Sequence, residues 1–281
     1  MKKEEDSNKY IEYRELNNFD ELKKCISIQK KTLGFSDTDI IPPPLLNVFA
    51  RKKPTCGIVV GAFEVDQTTG NEELIGFQVN TALLKEEAIF GILLAVLPEY
   101  QNKNIGYHIY SKFREVALSN NINLFYCLFD PLEANLGNAY SNKFGFIGIE
   151  YVSEVYELQD DVHTVTSAIP NDKIYAKCEL AAPRTSEKFD RKYKKIPFEE
   201  ILSRCPIIDE KNYADNDRVL VEVPDNFMTL VKNNVDEAIR WRMSTRKIFT
   251  EYINNRGFWM TEFYSQQKEG KRSNYYLLEK K

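Results

Sequence analysis

An α/β fold, with a mixed sheet flanked by helices and a C-terminal α+β subdomain, is predicted by three observations. The first is a nearly continuous apolar run, Ala88 to Val96, of the kind found in strands covered on both faces. The second is a helical stripe directly after it, Ile109, Tyr110, Phe113, Val116 and Ala117, within Gly106 to Ser119. The third is another apolar run, Leu124 to Phe129, which completes a strand-helix-strand unit of parallel sense.

The remaining elements follow from pattern and punctuation. Ile11 to Leu16 reads as a first strand, and Asn18-Phe19-Asp20-Glu21 opens a helix with Phe19, Leu22, Ile26 and Leu33 inward. Prolines 42 to 44 introduce a second helix over Leu45 to Lys52, since proline is tolerated in a first turn. Gly57 to Val65 and Leu74 to Leu84 are β-branched and aromatic, and Gly70 turns the chain between them. Glu133 to Lys143 reads as a short helix and Phe146 to Tyr156 as a strand. Beyond Leu158 the texture changes, with a charge run from Arg184 to Lys195 and a polar stretch from Asp209 to Arg218. This divides the chain into a first domain over 1–158, a charged connection over 159–217, and a subdomain over 218–281. In the last, Arg218 to Val223 reads as a strand, Asp225 and Asp236 start helices, the second reaching Asn255, and Phe258 to Tyr264 pairs with Asn274 to Leu278 as a hairpin. The order of this tail also allows a degenerate second copy of the first half, or a plain α+β appendage.

The loop between the apolar run and the helix carries the chemistry. Leu97-Pro98-Glu99-Tyr100-Gln101-Asn102-Lys103-Asn104-Ile105-Gly106 links a strand end to a helix start. Backbone N–H groups at such a junction converge, and the helix dipole adds positive potential, so the natural ligand is a pyrophosphate. Each charge-assisted bond contributes about 1.5–3 kcal/mol, and the helix end about 0.3–1. An ordinary strand-to-helix turn would use the same asparagines as turn formers.

This segment resembles the acyl-CoA-binding motif of the GNAT N-acetyltransferases, Gln/Arg-x-x-Gly-x-Gly/Ala, opened by Gln101 and closed by Gly106. Asn104 replaces the middle glycine, and asparagine tolerates positive φ better than other side chains. Asn138-Ala139-Tyr140 with Lys143-Phe144-Gly145-Phe146 is similar to the family's next helix. Phe129-Asp130-Pro131-Leu132 and the tail residues Val221-Glu222-Val223-Pro224, Trp241-Arg242 and Arg246 resemble a GNAT subgroup with an extra C-terminal half.

The resemblance implies a GNAT-type mixed sheet and an N-acetyltransferase that moves an acetyl group from acetyl-CoA, or another acyl-CoA, to a primary amine by direct attack. It implies contacts from Gln101, Asn102, Lys103, Asn104, Ile105 and Gly106 to phosphates, and from Leu94, Ala95 and Val96 to the pantetheine arm. Tyr140 would protonate the departing thiolate, although it stands five residues before Gly145 where the family's tyrosine stands four before, a place taken here by Ser141. Asp130 is a base or an amine anchor, or simply an Asp-Pro turn opener. Asn135 and Asn138 contact the donor, or cap and face their helix. An acyl-CoA-binding sensor or scaffold without turnover is the alternative, since Phe90 stands where many of the family place a glutamate.

Composition narrows the classes. A chain of 281 residues with 43% hydrophobic and 28% charged residues is an ordinary globular one. A net charge of −4 gives no electrostatic reason to expect nucleic acid or an anionic membrane. Five scattered cysteines without a C-x-x-C argue against a disulfide framework or zinc, and with no apolar leader they point to the cytoplasm. His108 and His163 lack partner motifs, so no histidine mechanism or metal is expected. The expected partner is a small-molecule or peptide amine, with the C-terminal half walling the acceptor site or forming a homodimer interface. Ala238, Arg242, Thr245, Phe249 and Tyr252 share a helical face, which favours structural ion pairs over a carboxylate clamp for Arg242 and Arg246.

Overall fold

The computed structural model describes residues 8–52, 56–84, 87–155, 169–268 and 270–281. The end of the strand expected to reach Tyr156, the break near Leu158, and His163 lie outside them. The chain divides into two compact units, Met1–Phe125 and Tyr126–Lys281. The division falls inside a strand, away from the boundaries at 158 and 217 that composition suggests. The mixed α/β architecture is present, with antiparallel and parallel strand pairs and flanking helices.

The first unit is an antiparallel meander of β1 (Lys9–Glu15), β2 (Gly57–Asp66), β3 (Glu72–Ala82) and β4 (Ala88–Val96). Burial is continuous from Gly57 to Phe63 and from Leu74 to Asn80, so both faces of these strands are covered. The covering elements are α1 (Phe19–Leu33), α2 (Pro43–Phe49) and α3 (Ile105–Ser119). The side chain of Asn18 caps α1 by accepting from Asp20 N–H at 2.9 Å, and Gly34 ends the helix in the left-handed region. The buried face of α1 is Leu22, Cys25, Ile28 and Gln29, which corrects the expected inner set: Phe19 and Leu33 are exposed. At about 100° per residue the buried set centres well to one side of Phe19, Ile26 and Leu33, and only Leu22 belongs to both. On α3 all five stripe residues are buried, and Phe113 packs on Phe125 at 4.5 Å between ring centroids.

The second unit begins within β5 (Leu124–Phe129), whose Tyr126 stacks on Tyr175 of β7 (Lys173–Glu179). Its strand order continues β7, β6 (Ile147–Val152), β10 (Phe258–Lys268), β11 (Lys271–Lys280), β9 (Arg218–Val223) and β8 (Ile207–Ile208). All pairs here that are resolved in register are antiparallel except β8 with β9. The segment expected as a charged connection thus carries β7, α5 (Pro183–Phe189), α6 (Phe198–Arg204) and β8. Alternate burial at Ile174, Ala176 and Cys178 makes β7 a strand despite its charged neighbours. Asparagines 226 and 234, not the neighbouring aspartates, cap α7 (Phe227–Asn233) and α8 (Val235–Phe249). In the hairpin β9 pairs with β11, not β10, whereas in the first unit β1, β2 and β3 pair in sequence. The strand pairing of the tail therefore differs from that of the front half.

The helix expected over Glu133 to Lys143 is α4 (Ala134–Gly137) followed by a π-helical turn, Asn138–Lys143. Phe144 N–H donates to Ala139 C=O at 3.0 Å, five residues back. A π turn accommodates one residue more than an α turn.

Candidate functional site

In the first unit the loop after β4 is fixed at both ends. Leu97 N–H donates to Ile75 C=O at 2.9 Å, and the Gln101 side chain donates to Val96 C=O at 3.0 Å. Gln101 N–H donates to Pro98 C=O at 3.2 Å, closing a 3₁₀ turn over Pro98–Tyr100. Asn102 and Asn104 both take positive φ, 61° and 62°. Asn104 therefore adopts the left-handed conformation its residue type permits, and Asn102 adds a second such position that the motif does not mark. The N–H groups of Asn102, Lys103, Asn104, Ile105 and Gly106 lie in the turn over 101–104 and the first residues of α3. None of these five donates to another described residue. Concavities of unpaired N–H groups at a helix start bind anions.

Gly106 has no conformational or packing requirement of its own. Its φ is not in the left-handed range, and an added Cβ would meet only Leu94 Cδ2 at 3.7 Å and Val96 Cγ2 at 3.9 Å, ordinary contacts. Glycine inside a helix costs up to about 1 kcal/mol relative to alanine, and no contact within the protein offsets that here. Leu94, Ala95 and Val96 lie at the end of β4 in register with Gln78, Phe77 and Gly76. Lys103 is exposed, with its ammonium 5.3 Å from the Tyr100 ring centroid. Burial, then the Glu64 carboxylate, push the Tyr100 phenol up to about 12.

In the second unit Asp130, directly after β5, accepts from Leu132 N–H at 2.9 Å, from Arg242 Nη2 at 2.5 Å and from Lys173 Nζ at 3.4 Å. These contacts are those of an Asp-Pro turn opener tied to two cations. Arg246 pairs with Asp172 at 2.7 Å and with Glu154 at 3.0 Å. Both tail arginines are structural, as the apolar face that carries Arg242 implies.

Tyr140 lies in the π turn, stacked on Phe129 at 4.9 Å and edge-on to Phe144 at 5.9 Å and Phe146 at 5.1 Å. Burial among these rings, and Cys127 nearby, push its phenol above the ordinary range. Its hydroxyl makes no hydrogen bond to another described residue. Asn135 is exposed. The Asn138 side chain accepts from Asn142 Nδ2 at 2.8 Å, and the same amide donates to Phe263 C=O at 2.8 Å, which ties the turn to β10. Asn142 was not marked by any motif, because its partner lies 121 residues away.

All five cysteines are free thiols, and no cluster of metal-ligating side chains occurs among the described residues. No described helix is long and apolar enough to cross a membrane. His108 is exposed and tilted against Tyr13 at 5.3 Å.

No protein-family profile and no curated protein matches the sequence. Solved structures do resemble it. An acetyltransferase of the GNAT family from Streptococcus pneumoniae is 13% identical, over 60% of this chain and 98% of its own, with a TM-score of 0.44. The PaiA N-acetyltransferase of Thermoplasma acidophilum, solved in complex with coenzyme A, is 15% identical over 60% of this chain and 99% of its own, with a TM-score of 0.42. The ribosomal-protein-S18-alanine N-acetyltransferase of Escherichia coli is 13% identical over 62% of this chain and 96% of its own, with a TM-score of 0.46.

Proposed function

We propose that the chain is an acyl-CoA-dependent N-acetyltransferase that moves an acetyl group from acetyl-CoA to a primary amine by direct attack. The observation that carries the reading is the run of five N–H groups from Asn102 to Gly106 that have no partner among the described residues, closed by a glycine with no internal packing role. Such a cradle suits the pyrophosphate of coenzyme A, with Gln101 pinning the loop and Leu94, Ala95 and Val96 flanking the pantetheine arm. Direct transfer needs no enzyme nucleophile, so the buried thiols and solitary histidines are no obstacle. Tyr140 supplies the proton of the departing thiolate. Its hydroxyl is protonated at neutral pH and makes no hydrogen bond to another described residue, although burial makes it a weaker acid than an exposed phenol. The π turn absorbs the one residue by which Tyr140 departs from the family spacing.

A sensor or scaffold without turnover is the second reading, favoured by the commitment of Asp130 to Arg242 and Lys173. Thermal-shift titration with coenzyme A, and mass spectrometry of the native protein for co-purifying coenzyme A species, test the donor site. Stabilisation by coenzyme A but not by adenosine supports it, and no stabilisation by either removes it. Thiol release from acetyl-CoA in the presence of primary amines then separates enzyme from sensor.

A further inference from the structure

We propose that Glu133 is the carboxylate that receives the acceptor amine and takes its proton, an assignment that rests on the acetyltransferase reading. Glu133 follows the end of β5, on the turn that Asp130 opens. It is the residue before α4, yet its side chain does not cap that helix. It is partly exposed, so a solute can reach it. Its carboxylate makes no hydrogen bond or ion pair with another described residue, whereas the neighbouring Asp130 accepts from three donors.

The charged and titratable groups around Glu133 come from four elements: Asp130 after β5, Lys173 of β7, Arg242 of α8 and Tyr276 of β11. Burial and the negative charge of Asp130 raise the Glu133 pKa above its ordinary 4.5, while Lys173 and Arg242 pull it down. A base raised toward the working pH is the better proton acceptor. Among the described residues, Arg242 Nε and the Tyr276 hydroxyl, both buried, have no hydrogen-bond partner. Buried orphans of this kind are uncommon in packed interiors. The pair Asp130 and Glu133 thus divides its roles, one carboxylate neutralised by fixed cations and the other left for a mobile one.

The transfer balances as follows. A primary ammonium gives one proton to the Glu133 carboxylate, which becomes a carboxylic acid. The freed nitrogen lone pair forms the C–N bond to the thioester carbonyl carbon, the C–S bond breaks, and its electron pair leaves on sulfur. The nitrogen loses one further proton and the thiolate gains one. The products are the amide and the free thiol, and the proton on Glu133 returns to solvent.

The test compares the wild-type chain with Glu133→Gln and Glu133→Asp, using acetyl-CoA with glycinamide, lysine and spermidine as probe amines and thiol release as the readout. Glu133→Gln should lower kcat/KM by about 10²- to 10⁴-fold and abolish the acidic limb of its pH profile. Glu133→Asp should recover part of the rate. The coenzyme A thermal shift and the urea midpoint should be unchanged in both, because they report on the donor loop and on folding. Wild-type rate and an unchanged acidic limb in Glu133→Gln would overturn the assignment. So would a wild-type chain that binds acetyl-CoA but transfers to none of the three amines. Failure of the wild-type chain to bind coenzyme A is a different result, and it strikes the donor site first.

Discussion

Arg242 Nη2 lies 2.5 Å from Asp130 Oδ2, joining residues 112 positions apart, with the guanidinium side chain 1% exposed. The ion pair anchors the turn after β5 to the middle of α8, and Arg242 also packs over Phe227, 4.9 Å from the ring centroid. Removing one partner of a buried pair leaves the other charge uncompensated. Arg242→Met should therefore destabilise the chain by about 3–5 kcal/mol, read from urea unfolding, despite a similar side-chain volume.

Substitutions at Gly106 separate stability from ligand binding. An alanine Cβ fits beside Leu94 and Val96 without displacement. The unliganded chain should be unchanged or up to about 1 kcal/mol more stable. The coenzyme A thermal shift should persist, since the motif itself admits alanine at this place, whereas Gly106→Trp should abolish it, because the ring fills the space a phosphate needs. An unaltered shift in Gly106→Trp would place the phosphates elsewhere.

Tyr140→Phe should leave the unfolding midpoint within about 0.5 kcal/mol of wild type, as expected where no interaction is lost, because the hydroxyl has no partner to lose. Transfer should drop about 10²-fold or more if the phenol is the proton donor, with coenzyme A binding intact. Steady-state rates and calorimetric titration of the same preparation decide between a proton donor and a packing residue.

Asp172 links folding to acid. Burial raises its pKa, but hydrogen bonds from Arg246, Tyr151 and Glu154 N–H outweigh burial, and the result lies below the ordinary 3.8. A depressed carboxylate contributes stability in full above its unfolded-state pKa and loses it as pH falls through the folded value. Wild-type stability should thus decline below about pH 5. Asp172→Asn should be less stable at neutral pH by about 3 kcal/mol and show a flatter acid decline. Urea midpoints between pH 2 and pH 7, a range set by the carboxylate titrations, measure both.

What was legible in the sequence was local. The strands β2, β4, β5 and β9 and the stripe of α3 are written in consecutive or periodic apolar residues. The left-handed turn at Asn104 is written in the residue type. Arg242 could be placed on an apolar face, but its partner could not, because nothing local joins Asp130 to α8. The same holds for Lys188, whose ammonium donates to both Glu262 oxygens at 2.8 Å, and for Arg184, which donates to the same carboxylate at 2.9 Å. These groups appear in the sequence as part of a solvated charge run. Only the folded chain shows Lys188 4% exposed. Glu133 escaped notice for a related reason: a free carboxylate is recognised by what fails to bind it.

The wide turn at residues 138–143 also bears on how such chains diverge. Phe146 N–H reaches back six positions to Tyr140 C=O, so one surplus residue is taken up as a local swelling before the left-handed Gly145 and the strand that follows. An insertion there shifts the count between landmarks without shifting the landmarks in space. A search that insists on constant intervals would pass over Tyr140 and stop at Ser141.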